Sequence, residues 1–147
     1  MNKQQLKEMI KQVILENRET SLLLFEVKEP KYERLISILE GNTDIKTVGI
    51  MSGQNPMATA VNKRKNAELK DQLEVELKKQ KLEFIRIGGI FSGNPEKSVV
   101  ILNPTKDQME ILNRKFVQWG FVFGKRIPMN DKEYFMAFTM YEIDYDN

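Results

Sequence analysis

Residues 45–82 read IKTVGIMSGQNPMATAVNKRKNAELKDQLEVELKKQKL, and how this stretch is parsed decides the fold. The apolar run Val48, Gly49, Ile50, Met51 stops at Ser52-Gly53-Gln54-Asn55-Pro56 and passes into the longest helical pattern in the chain. It reads as strand, loop and helix. A loop feeding a helix N-terminus presents unpaired N–H groups and a partial positive charge, which suits an anion. The same arrangement also serves as an ordinary connection. Thr59 is a good N-cap candidate, since its hydroxyl can accept from the N–H of Val61 or Asn62, and the alternative start is Asn55 as cap with Pro56 in the first turn. The helix is expected to run to about Gln80.

On that helix Asn62, Asn66, Leu69, Leu73 and Leu77 fall in one stripe roughly 80° wide. The leucines mark it as the buried face. Two amides at its N-terminal end therefore need partners, because an unpaired buried polar group costs about 1–3 kcal/mol. Two readings stand. The asparagines tie down the neighbouring loop, or they line a polar pocket with Lys65 and with Gly53, Gln54 and Asn55. Arg64 points nearly opposite, towards solvent.

Working outward towards the N-terminus, Leu6, Met9, Ile10, Val13 and Ile14 give residues 1–17 the spacing of an amphipathic helix. Its apolar stripe packs on the domain or forms a contact with a second copy. Ser21 to Val27 (SLLLFEV) reads as a strand, and Pro30 as a break. Tyr32, Leu35, Ile36, Ile38 and Leu39 are helical again, up to a stop at Glu40-Gly41-Asn42.

Towards the C-terminus, Glu83 to Phe91 (EFIRIGGIF) alternates as a strand, with Gly88-Gly89 marking a bulge or a close backbone approach. Lys97 to Leu102 returns beside it as a hairpin. Thr105, with Gln108 three residues on, opens a helix carrying Met109, Ile111, Leu112, Phe116 and Trp119, with Gly120 as its stop. Strands follow at Phe121 to Ile127 and Glu133 to Ile143. The expectation is one α+β domain over residues 1–147. It has a mixed or mainly antiparallel sheet of about five to six strands, and three to four helices on one side.

The composition, 41% hydrophobic and 30% charged, is that of a globular domain. The absence of both cysteine and histidine excludes a disulfide framework, a Cys/His zinc site, a thiol nucleophile and an imidazole base. This argues against an enzyme, and no cofactor is expected. With 23 Lys+Arg against 21 Asp+Glu the net charge is +2, far from a dedicated nucleic-acid binder. Lys63-Arg64-Lys65 and Lys125-Arg126 are local basic clusters, and Glu142, Asp144 and Asp146 make the C-terminal end acidic. No apolar run is long enough to span a membrane and no signal peptide is evident, so a cytoplasmic protein is expected.

The pattern Asn62, Lys65, Asn66, Leu69 after a loop containing Asn55-Pro56, then Glu96 two before Ser98, then Gln118 ahead of a strand, resembles an uncharacterised domain-of-unknown-function family. Its small members occur in bacteria and tailed phages. The resemblance covers roughly residues 45–127 and departs at Gly120, where the family usually has Ser or Ala. It implies the fold and the position of a site, and carries no activity. Phage relatives would imply a role in the contest between phage and host.

Three functions are compatible with these residues. The first is a non-catalytic binding protein whose pocket is formed by Gly53, Gln54, Asn55, Asn62, Lys65 and Asn66, with Glu96 and Gln118 nearby. It would take a nucleotide or other phosphorylated ligand and would act by sequestering a nucleotide signal in counter-defence. The second is an inhibitor of a host enzyme, working through the N-terminal helix or the acidic end. The third is a Mg²⁺-dependent phosphodiesterase or nuclease built on Glu96 with a C-terminal carboxylate such as Asp144. A homo-oligomer through the N-terminal helix is compatible with the first two.

Overall fold

Burial on both sides is what the run Val99-Val100-Ile101-Leu102 requires, since a strand covered on one face only would alternate. In the computed structural model, which describes residues 29–91 and 94–146, this run lies in the second strand of a five-stranded sheet. Val99 and Ile101 pack into one apolar core and Val100 and Leu102 into another, on the opposite face. The helix expected over residues 1–17 and the strand expected over residues 21–27 lie outside the described residues.

The elements run α1 (Glu29–Leu39), β1 (Thr47–Ser52), a short 3-10 turn (Pro56–Ala58), α2 (Lys63–Lys79), β2 (Phe84–Phe91), β3 (Asn94–Leu102), α3 (Lys106–Lys115), β4 (Gly120–Pro128) and β5 (Tyr134–Glu142). The sheet order is β2-β3-β1-β4-β5, and every pairing is antiparallel. β1 is the centre. From β1 to β4 the connections follow the β-α-β-β-α-β order of the split-βαβ, ferredoxin-like motif, to which β5 adds an outer strand.

The helices are not confined to one side of the sheet. Leu69, Leu73 and Leu77 of α2 and Met109 and Leu112 of α3 pack with Met51, Val99, Ile101, Phe121 and Phe123 on one face. Leu35, Ile38 and Leu39 of α1 pack with Val48, Ile85, Val100, Leu102 and Met136 on the other. Period-2 alternation in the strands sends neighbouring residues into different cores, so covering both faces needs helices on both. At Gly49 the close approach of α3 leaves no room for a side chain, since a Cβ would collide with the Met109 thioether.

Several local expectations are corrected. The cap of α2 is Asn62, whose Oδ1 accepts from the Lys65 N–H at 2.8 Å, and Thr59 lies in an extended segment before it. Asn62 is therefore exposed at the helix end and does not belong to the buried stripe. Pro30 sits in the first turn of α1, where its missing N–H costs nothing, and breaks no element. Gly88-Gly89 make no bulge, since the β2–β3 register runs unbroken from Phe84↔Ile101 to Phe91↔Asn94. α3 opens on the expected Thr105–Gln108 capping box and ends at Lys115, with Gly120 already in β4.

Candidate functional site

At the carboxyl end of β1 the chain must leave the centre of the sheet and reach α2 without stranding its backbone groups. Ser52 begins the turn. Its hydroxyl donates to the Lys97 carbonyl at 2.9 Å and accepts from the Gln54 N–H at 3.0 Å. The buried Gln54 side chain bridges two elements. Its Oε1 accepts from the Lys97 N–H of β3 at 2.7 Å, and its Nε2 donates to the Asn66 carbonyl of α2 at 3.1 Å. Gly53 lies against α2, where a Cβ would stand 3.1 Å from the Leu69 carbonyl and 3.2 Å from the Phe116 ring.

Asn55 and Asn66 exchange amide hydrogen bonds. The Asn55 N–H donates to Asn66 Oδ1 at 2.9 Å, and Asn66 Nδ2 donates to Asn55 Oδ1 at 2.8 Å. The Val61 N–H reaches the same Oδ1 at 3.3 Å. Gln118 closes the arrangement from the other side, its Nε2 donating to the Gln54 carbonyl at 3.0 Å and to the Phe116 carbonyl at 3.2 Å. The structure thus brings Gly53, Gln54, Asn55, Asn66 and Gln118 together in one buried network. It does not bring in the Lys65 side chain, which stands exposed on the first turn of α2. Glu96 lies in β3, opposite Gly89 and one residue from Lys97. The amides tie the loop to α2, β3 and the α3–β4 connection.

The outer rim of this network carries backbone strain. Asn55 (φ 46°), Met57 (φ 54°) and Val117 (φ 52°) are all left-handed without being glycine, and the Met57 N–H donates to the Val117 carbonyl at 2.7 Å. A β-branched residue in this region is a true outlier, and such a conformation costs on the order of 1–3 kcal/mol. Beside Val117 stands Trp119, 56% exposed. The segment after β5 is docked against the same rim. The Ile143 N–H donates to the Trp119 carbonyl at 2.8 Å, and the Tyr145 hydroxyl donates to the Gln118 carbonyl at 2.6 Å. Burial pushes the Tyr145 phenol pKa up, against the nearby Arg114 charge. Met57, Val117, Trp119 and Tyr145 escape sequence reasoning, because no local pattern announces a left-handed valine or places a chain end beside a distant loop.

Behind the network lies a charged group that the sequence does not single out. Glu74 is buried on α2. Arg86 of β2 donates Nε–H to its carboxylate oxygens at 3.1 and 3.0 Å and Nη2–H at 2.5 Å, while Lys70 Nζ stands 3.1 Å away. The Arg86 hydrogen bonds hold the Glu74 carboxyl below its ordinary pKa, against the opposing effect of burial, and Lys70 adds to the lowering. Lys70, Glu74, Arg86 and Lys97 surround a cavity of about 20 Å³ floored by Leu73 and Val99.

The other basic and acidic clusters are placed differently. Arg126 donates to the Gly41 carbonyl at 3.1 Å and stacks over the Tyr134 ring at 3.6 Å, which occupies it structurally. Glu96 and Asp144 belong to β3 and to the segment after β5, with β1 and β4 between them. At about 4.8 Å per strand this is a lateral separation of roughly 14 Å, too wide for one shared Mg²⁺. Among the described residues no group of three or more Asp or Glu side chains is arranged to hold a metal ion. Among them, too, no helix is long and apolar enough to cross a membrane.

No curated protein and no solved structure matches the chain. Residues 51–120, from the end of β1 to the start of β4, do match the model of a family described as Protein of unknown function (DUF3293), an uncharacterised family of the kind that the Asn62–Leu69 helix start and the Glu96–Ser98 strand resemble.

Proposed function

We propose that this is a non-catalytic binding protein whose site is the outer rim of the β1–α2 junction, and that it takes a nucleotide or a similar phosphorylated small molecule. The observation that carries the reading is the convergence of three left-handed non-glycine residues, Asn55, Met57 and Val117, beside the exposed Trp119. Strain of this kind persists only where the surroundings over-determine it, and the Gln54, Asn55, Asn66 and Gln118 network does so here. The first turn of α2 supports the reading. It carries Lys63, Arg64 and Lys65 and no acidic residue, the reverse of what the helix dipole favours, and a bound anion would relieve that repulsion. An exposed indole offers a face on which a base can stack. In the bacterial or phage setting implied by the sequence resemblance, a cytoplasmic protein of this kind would act by sequestering a nucleotide signal.

Trp119 is the one tryptophan of the chain, so its fluorescence reports on the rim directly. Titration with nucleoside mono-, di- and triphosphates and cyclic dinucleotides is expected to quench it saturably with at least one ligand. Lys63→Gln/Lys65→Gln should weaken that response. Absence of both quenching and thermal stabilisation across the panel overturns the reading. The exposed apolar side chains of Val117 and Trp119 favour a host protein as the second reading. In that case pull-down depends on Trp119 and is indifferent to Lys63 and Lys65.

A further inference from the structure

Two glycines in mid-strand, Gly88-Gly89, mark a bulge or a close backbone approach, and the unbroken β2–β3 register removes the first. Among the described residues β2 is paired on one side only, by β3. Which of its backbone groups face outward follows from the ladder. The Leu102 N–H donates to the Glu83 carbonyl at 2.8 Å, so Glu83 and every second residue after it bond to β3. Phe84, Arg86, Gly88 and Ile90 therefore turn both N–H and C=O to the open edge. Edge strands are commonly blunted by proline, lysine or a bulge, and Phe84–Phe91 has none of these. Its one charged residue, Arg86, is already paired with Glu74. At the opposite edge of the sheet the Gly41 turn lies against β5, where a Cβ on Gly41 would stand 2.7 Å from the Phe135 Cα, so β5 is not open along its whole length.

We propose that the open edge of β2 is a homodimer interface, at which β2 of a second copy adds antiparallel across a two-fold axis and joins the two sheets into one. The occupant follows from self-complementarity. With Ile87 facing Ile87 at the axis, Arg86 of each copy faces Gly88 of the other, and Phe84 faces Ile90. In this register every outward N–H and C=O of Phe84, Arg86, Gly88 and Ile90 meets a partner, since these residues pair among themselves. Arg86, the longest side chain of the set, lies opposite a residue that has none, and no charge faces a like charge. A one-residue slip would set outward groups against groups already bonded to β3. A two-residue slip would carry Phe84 past the strand end in one direction, and set Arg86 against Arg86 in the other. The interface is independent of the junction reading, because β3 and β1 lie between β2 and β4, whose entry carries Trp119.

The test is sedimentation equilibrium of the full chain at rising concentration, which should show a monomer–dimer equilibrium. Gly88→Pro removes an outward N–H and none of the bonds to β3, so it should give a monomer with the far-UV circular dichroism of the wild type. The chain has no cysteine, so a second variant reads the register directly. Residues opposite each other in a non-hydrogen-bonded pair have Cα atoms about 4.5 Å apart, within disulfide range. Ile87→Cys should therefore give a disulfide-linked dimer in oxidised glutathione, and Met140→Cys, exposed on β5, should not. A wild type that stays monomeric, a folded Gly88→Pro that still dimerises, or cross-linking of Met140→Cys in place of Ile87→Cys would each overturn the proposal. If Gly88→Pro fails to fold, the Ile87→Cys result decides.

Discussion

The exchange between Asn55 and Asn66 shows why two asparagines at one end of a helix do different work. Asn66 satisfies a buried loop and Asn62 satisfies an exposed helix end. Asn66→Ala orphans the Asn55 N–H and weakens the hold on its Oδ1, so it should cost about 1–3 kcal/mol. Asn62→Ala removes a cap and should cost about 0.5–2 kcal/mol. Urea denaturation of both variants measures the pair, and an Asn66→Ala as stable as the wild type would show that the network does not anchor the loop. Gly120 illustrates the same dependence on a partner. A Cβ there would collide with the Tyr141 carbonyl oxygen of β5, so the position requires glycine. The requirement comes from the neighbouring strand.

Among the elements, α2 is held to the sheet by a leucine stripe and by one carboxylate. Leu69, Leu73 and Leu77 bury its inner face, while Glu74 at the margin of that stripe clamps the edge strand β2 through Arg86. The folded Glu74 carboxyl lies below its ordinary pKa, so the native state favours the charged form. Its contribution is complete above the unfolded value of about 4.3 and is lost as pH falls through the lower folded value. Glu83, lowered by its hydrogen bond to Arg34, acts in the same direction. Glu74→Gln should therefore flatten the acid limb of a stability–pH profile and cost about 1.5–3 kcal/mol at neutral pH, where the charge-assisted bonds are lost. Urea midpoints followed from pH 7 down to the acid transition are the measurement. An unchanged acid limb would mean that the pair does not link α2 to β2.

For the whole molecule, the central strands serve two cores at once. Val48 and Met51 of β1 face opposite cores, as do Val100 and Ile101 of β3. Loosening either core frees backbone that the other needs. Leu77→Ala in the α2–α3 core and Ile38→Ala in the α1 core, both at fully buried sites, should each cost about 2–5 kcal/mol. Both should shift one common transition without splitting it. Coincident melting by fluorescence of Trp119 and by far-UV circular dichroism tests this, and two separate transitions in either variant would show that the cores are independent units.

Features that depend on neighbours along the chain are legible in its residues. Periodicity placed α2 by Leu69, Leu73 and Leu77, the Thr105–Gln108 box placed the start of α3, and the β2–β3 hairpin followed from two strand patterns a short turn apart. Helix spacing marks Asn62 and Asn66 as amides in need of partners and names Gln54, Asn55 and Gln118 only as neighbours of a candidate pocket. Which partners the amides have follows from the folded chain alone, because Gln54 is joined to Lys97 and Gln118 across 43 and 64 residues. The same holds for helices on both faces of the sheet, for the left-handed Val117 and for the docked Tyr145. Each depends on contacts between segments far apart in sequence, and local pattern carries no information about how such segments meet.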